Sequence, residues 1–268
     1  MPVRPEGTPC WADAMFTDLE GARDFYGSVL GWTFGEASTQ FGGYTQAYAD
    51  GKAVAAIVPP MPGQEQPSAW CLYLASDDVE ETARRVREHG GQLLLEPMRV
   101  GDFGAMALVR EPSGTVFGLW QSGTHEGFDV MGVPGAYAWA EVYTREPEKA
   151  DTFFQSVFSY RGKELVGGEQ PPDMDFRLYD LGEETVLGRM RMGADFPPEV
   201  PAYINVYFMV DDCDAAVARA TERGGVLRFG PVDTPYGRLA ALSDPQGASF
   251  SVVDGNTTGE EPGTADVA

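Results

Sequence analysis

Apolar positions along the chain follow two periods, and the same succession of periods occurs twice. Between residues 19 and 31 they fall at 22, 25, 26, 29 and 30, and between 147 and 158 at 150, 153, 154, 157 and 158. This i, i+3, i+4, i+7, i+8 stripe is the face of a helix that lies on a sheet. A second helical stripe falls at 79, 83 and 86, with a counterpart at 213, 216, 217 and 220. The segments between read as strands: 12–16, 44–48, 53–58, 70–75, 105–109 and 116–120, then 140–144, 176–181, 185–190 and 204–209. End signals agree with these elements. Thr17 with Glu20 resembles a capping box, and Pro147 suits a first helical turn. Asp78 and Asp212 read as N-caps of the second helices, which Gly90-Gly91 and Gly224-Gly225 stop.

The duplication extends to individual residues. Trp11-Ala12-Asp13 recurs as Trp139-Ala140-Glu141, and Phe25-Tyr26-Gly27-Ser28-Val29-Leu30 as Phe153-Phe154-Gln155-Ser156-Val157-Phe158, both shifted by 128. Leu72-Tyr73, Asp77-Asp78 and Gly90-Gly91 recur at a shift of 134, and Pro112-Ser113-Gly114 answers Pro245-Gln246-Gly247 at 133. Four ordered blocks at a nearly constant offset mark a tandem duplication.

Composition narrows the function classes. The 268 residues are 43% hydrophobic and 12% aromatic, enough for two packed domains. A net charge of −22 repels a phosphate backbone, so nucleic acid is not an expected partner. No apolar run reaches the roughly 20 residues that span a bilayer, and residues 1–8 lack a signal-peptide pattern. No membrane association is therefore expected, and the expected location is the cytoplasm. Cys10, Cys71 and Cys213 are scattered and odd in number, against a disulfide framework or a structural zinc site.

The motifs resemble the vicinal oxygen chelate superfamily of glyoxalases, bleomycin-resistance proteins and extradiol dioxygenases. The matching residues are Asp18-Leu19, Ala22, Phe25-Tyr26, Val29-Leu30-Gly31-Trp32, Asp77-Asp78, Gly90-Gly91 and Glu111-Pro112-Ser113-Gly114. The second copy adds Asp211-Asp212, Gly224-Gly225 and Asp244-Pro245-Gln246-Gly247. A tryptophan in both first strands is most similar to two-module actinobacterial proteins labelled glyoxalase-like or "hydroxylase", several of them from antibiotic pathways. The resemblance implies an α+β fold of two tandem βαβββ-based modules, whose paired cup-shaped mixed sheets hold ligands inside. The modules are expected at 1–124 and 136–254, joined by a linker at 125–135, with a polar, acidic, disordered tail at 255–268. Internal pairing of the copies implies a monomer or a loose homodimer.

In metal-using relatives the ligands come from the first strand of a module, the strand before its second helix and its last strand. Those positions fall on Trp11 and Trp139, Trp70 and Ile204, and Gly118 and Ser251, none of them a good ligand for a divalent cation. Asp13 and Glu141 lie within a small register slip of the first position. Of the two histidines, His89 reads as a surface cap and His125 as a solvated linker residue. No dinucleotide, Walker or nucleophile-elbow motif is present. The expectation is no metal and no cofactor.

Strand alternation then proposes what the cups contain. Trp11, Asp13 and Met15 share one face, joined by Trp70, Leu72, Gly118 and Trp120; the second copy offers Trp139, Glu141, Tyr143, Ile204, Phe208, Ser249 and Ser251. Phe103 and Tyr236 fall on loops at the expected rim. Indole-rich cups with a few polar groups suit a small aromatic or polycyclic ligand in natural-product biosynthesis or antibiotic resistance. The competing reading is that the tryptophans fill the module interface. Asp13 and Glu141 occupy equivalent positions and could act as acid and base in a metal-free isomerase, lyase, cyclase or hydroxylase-type enzyme. The alternative for them is pairing with an arginine or a backbone amide. A metal-dependent glyoxalase or dioxygenase is disfavoured by the ligand positions.

Overall fold

The computed structural model describes residues 4–60, 67–166, 174–256 and 263–267. The first module runs β1 (Pro9–Met15), α1 (Leu19–Leu30), β2 (Thr33–Phe34), β3 (Thr45–Ala49), β4 (Lys52–Val58), β5 (Trp70–Ala75), α2 (Val79–Glu88), β6 (Gln92–Val100), β7 (Gly104–Arg110) and β8 (Val116–Ser122). The second runs β9 (Tyr137–Thr144), α3 (Pro147–Phe158), β10 (Arg161–Val166), β11 (Phe176–Leu181), β12 (Glu184–Arg191), β13 (Tyr203–Val210), α4 (Cys213–Glu222), β14 (Val226–Thr234), β15 (Gly237–Ser243) and β16 (Ser249–Asp254). Each module is two βαβββ units. A last strand, β17 (Gly263–Asp266), lies in the tail.

The strand order is β2-β3-β4-β1-β5-β8-β7-β6 in the first sheet and β14-β15-β16-β13-β9-β12-β11-β10-β17 in the second. In both, the two unit-opening strands pair antiparallel at the centre and each unit spreads towards its own edge. The mixed sheets that the resemblance implies are present in both halves.

Helices cover one face of each sheet, and the covered faces meet in one core. The α1 stripe Ala22, Phe25, Tyr26, Val29 and Leu30 is buried, as are Ala150, Phe153, Phe154, Val157 and Phe158 of α3. The paired glycines explain how closely the modules approach. Gly90 and Gly224 have φ of 82° and 84°, the left-handed conformation that ends a helix. A Cβ on Gly91 would lie 2.9 Å from the Phe153 ring, and one on Gly225 2.9 Å from the Phe25 ring. The second glycine of each pair therefore makes room for a phenylalanine of the other module.

Polar contacts fix the same interface. Trp70 Nε1 donates to the Tyr26 hydroxyl at 3.0 Å, and that hydroxyl donates to Asp244 Oδ2 at 2.9 Å. Asp18 N donates to Gln246 Oε1 and Gln246 Nε2 returns a bond to the Asp18 carbonyl, at 2.9 and 2.8 Å. The two bonds of the Tyr26 hydroxyl are buried, and each contributes about 1 kcal/mol net and costs more if one partner is left unpaired.

Two expectations are corrected. The cap of α1 is Asp18, whose carboxylate accepts from Gly21 N, and not Thr17. Residues 263–266 of the tail are not disordered: they add antiparallel to the β10 edge, where only backbone groups are needed to pair. The linker is anchored, with Phe128 N bonded to Cys10 O and the Gly135 carbonyl accepting from Trp32 Nε1 at 2.6 Å. Among the described residues no helix is long and apolar enough to cross a membrane.

Candidate functional site

The uncovered face of each sheet curves into a cup with one carboxylate on its central strand. In the first cup, pairing with β1 sets Cys71 opposite Asp13 and Tyr73 opposite Trp11, and β8 sets Gly118 beside Tyr73. A Cβ on Gly118 would lie 2.1 Å from Tyr73 Cδ1, so glycine is what lets the phenol ring lie across β8. The Tyr73 hydroxyl donates to Asp13 Oδ1 at 3.4 Å and the Tyr44 hydroxyl to Oδ2 at 3.3 Å, while Trp11 Nε1 donates to the Tyr44 oxygen at 2.6 Å. Burial pushes the Asp13 carboxyl up to about 7, opposed by the Tyr73 and Tyr44 bonds.

One end of this cup is filled by the linker. His125 meets Trp11 edge-on at 4.5 Å and Trp120 at 5.6 Å, and Phe128 lies 5.5 Å from Trp11. Trp11 and Trp120 are consequently 3% and 8% exposed. Burial lowers the pKa of His125 against the pull of Asp129, and its Nε2 has no hydrogen-bond partner among the described residues. At the mouth, Phe41 and Phe103 touch at 5.3 Å. Phe41 belongs to the loop between β2 and β3 and Phe103 to the turn between β6 and β7, so their contact brings opposite edges of the sheet together.

The second cup repeats the plan with more ring surface open. Trp139, Glu141 and Tyr143 on β9 face Tyr207, Asn205 and Tyr203 on β13. Glu141 Oε2 accepts from the Tyr207 hydroxyl at 2.8 Å and Oε1 from Trp139 Nε1 at 3.2 Å; the Tyr143 and Tyr207 hydroxyls are 3.3 Å apart. Tyr143 stacks on Tyr203 at 5.1 Å and 13°, with Phe196 5.7 Å away. Gly188, beside Glu141, leaves space that a Cβ would close to 2.9 Å from Glu141 Cγ. Trp139, Glu141, Tyr143 and Tyr203 are all half-buried. Burial raises the Glu141 carboxyl, opposed by its bonds to Tyr207, Tyr143 and Trp139.

Several expected site residues are placed elsewhere. Trp70 pairs opposite Ala14 and Leu72 opposite Ala12, so both point to the helix side, as does Ile204 opposite Val142. Phe208 lies 5.0 Å from Trp70 and 5.3 Å from Trp32 in the module interface. For Trp70 the interface reading holds. Tyr73 and Tyr207, equivalent residues on β5 and β13, take the cup positions instead. Ser251 is buried and accepts from Asn205 Nδ2 at 2.8 Å, whereas Ser249 is exposed at the strand end. Met15 faces the first cup half-buried; Phe103 and Tyr236, 45% and 48% exposed, stand at loop tips. Asp13 and Glu141 belong to separate cups, and neither is bonded to an arginine among the described residues. His125, expected in solvent, is packed against two indoles.

The donor set does not fit a transition-metal centre of the kind the superfamily uses. Each cup offers one carboxylate, already bonded by phenols or an indole, and no imidazole ligand on its strands. The Cys71 thiol is held protonated, first by burial and then by the neighbouring Asp13 charge. Among the described residues no three of His, Cys, Asp and Glu come together as a ligand set.

Residues 11–119 match the model of the Glyoxalase/Bleomycin resistance protein/Dioxygenase superfamily. A Mycobacterium tuberculosis protein named "Putative glyoxylase CFP32" is 38% identical over 263 residues, covering 94% of this chain and 98% of its own. The anthracycline biosynthesis protein DnrV of Streptomyces peucetius is 36% identical over 264 residues, covering 92% and 93%. The 2,3-dioxygenase LapB from Pseudomonas sp. KL28 shares the fold with a TM-score of 0.65 at 15% identity, covering 97% of this chain and 95% of its own. The chain belongs to the glyoxalase/bleomycin resistance protein/dioxygenase superfamily, in its tandem two-module form.

The Asp13 environment has a direct consequence for stability. Its carboxyl binds a proton more tightly folded than unfolded, so its contribution is full below about pH 4 and is lost as pH rises to about 7. Asp13→Asn removes that loss. Denaturant titrations should show the variant gaining on the wild type across that window and holding a constant lead above it. A lead that does not change with pH would put Asp13 in an ordinary solvated setting.

Proposed function

We propose that this superfamily member binds a small planar aromatic molecule in its second cup, without a metal ion, as part of natural-product metabolism. The observation that carries the reading is the cluster of half-buried rings, Trp139, Tyr143 and Tyr203, around the Glu141 carboxyl. Ring faces left partly open beside one polar group suit a flat ligand oriented by a single hydrogen-bonded edge. Trp11 and Trp120, by contrast, already have linker rings packed against them. The likeness to a protein named for anthracycline biosynthesis supports a polycyclic ligand class.

Quenching of intrinsic fluorescence by a panel of polycyclic quinones tests this. Saturable quenching is expected, with Trp139→Ala weakening binding roughly tenfold or more. Trp32→Phe, in the module interface, should leave affinity nearly unchanged. Absence of saturation across the panel, or equal losses from both substitutions, would contradict the assignment.

A second reading, metal-free acid–base chemistry in the first cup, has the Asp13 carboxyl behind it. A group that titrates near 7 between two phenols can both take and return a proton at neutral pH. Deuterium uptake from solvent into an enolisable aromatic ketone such as 2-tetralone, followed by NMR, is the test. Acceleration by the wild type and a loss of about 10²-fold in Asp13→Asn are expected of an enzyme. Equal rates with and without protein would leave binding as the only role.

A further inference from the structure

Glu141 is a carboxylate without a countercharge. It lies half-buried at the centre of the second sheet, and its hydrogen-bond donors are neutral phenols and a neutral indole. The cations of this module are engaged elsewhere. Arg177 and Arg189 pair with Asp151 on the helix side, Arg191 with Asp175 and Glu148, and Arg238 with Asp214 and Asp233. Arg145 donates to the carbonyls of Phe196, Pro197 and Val200. The stretches outside the described residues, 1–3, 61–66, 167–173, 257–262 and 268, contain no lysine, arginine or histidine. No side chain of those stretches can neutralise Glu141. A carboxylate partly removed from water and left unpaired is costly, and a bound cation would offset that cost.

The rings around it point the same way. Trp139, Tyr143, Tyr203 and Tyr207 gather around the carboxyl, the first three of them half-buried, and an ammonium group beside an aromatic face is stabilised by its quadrupole. A net charge of −22 draws cations towards the protein from a distance. We infer that the molecule taken by the second cup carries a protonated amine, seated on the Glu141 carboxylate and walled by Trp139 and the tyrosine rings. The inference rests on the reading that this cup is the ligand site, and it adds the chemical class of the ligand. The first cup is not an equivalent amine site, because its Trp11 face is occupied by His125 and Phe128.

Two matched probes separate the inference from the reading beneath it: 1-naphthylmethylamine, charged at pH 7.5, and 1-naphthalenemethanol, neutral and nearly isosteric. Calorimetric titration of the full chain should show the amine binding roughly tenfold tighter or more than the alcohol. Glu141→Gln, which keeps the shape and an acceptor oxygen, should remove most of that advantage, lowering the amine's affinity several-fold more than the alcohol's. Trp139→Ala should weaken both probes. Equal affinities of amine and alcohol for the wild type would overturn the inference and leave aromatic binding standing. An advantage that persists undiminished in Glu141→Gln would also overturn it. Failure of both probes to bind saturably would count against the inference and against the second cup as a ligand site.

Discussion

The architecture depends on the seam where two phenylalanines meet two glycines. Phe25 lies against Gly225 and Phe153 against Gly91, each ring occupying the space a Cβ would take. Only because those positions lack a side chain can the helix-covered faces of both sheets merge into one core. Trp70, Tyr26 and Asp244 then tie the seam with directional bonds. With the helix faces committed to each other, the opposite face of each sheet is left to carry chemistry.

That freedom is used in the same way twice. A carboxylate on the central strand is held by a tyrosine from the neighbouring strand, with a tryptophan two residues before it: Trp11, Asp13 and Tyr73 in one cup, Trp139, Glu141 and Tyr207 in the other. The copies then diverge through what surrounds them. Linker residues His125 and Phe128 cover Trp11, so the first cup is filled at that end and holds a carboxyl raised by burial. Nothing comparable covers Trp139 among the described residues, and Tyr143 and Tyr203 add a stacked wall where the first copy has Met15 and Ala69. One fold thus carries a cup whose carboxyl is raised by burial and a cup lined by half-buried rings, both without an imidazole on their strands.

The duplication, the four helices and the facing of the first strands were legible from the sequence. In Trp11-Ala12-Asp13-Ala14-Met15 the small residues mark the helix side, and the large and charged ones the cup. The strands beside them were misread by one residue, which exchanges the faces completely. In 70–75 both faces are covered, so the run Trp-Cys-Leu-Tyr-Leu-Ala carries no polar mark to set its parity. The second copy does carry one: Asn205, flanked by Tyr203 and Tyr207 and alternating with Ile204, Val206 and Phe208, identifies the cup side. His125 could not be read locally, because its neighbours Trp11 and Trp120 are supplied by the path of the linker. The strand at 263–266 was hidden for a related reason: it pairs through its backbone alone and has no apolar pattern.

The central claim is that the second cup retains an organic aromatic molecule with no metal ion. Native mass spectrometry of the full chain, purified without chelators and then incubated with aromatic natural products, reads both halves of it at once. The account predicts a metal-free mass that gains one aromatic molecule per chain, with the complex unchanged by EDTA. One equivalent of manganese, iron, nickel or zinc per chain, whose removal by EDTA also abolishes ligand retention, would contradict it.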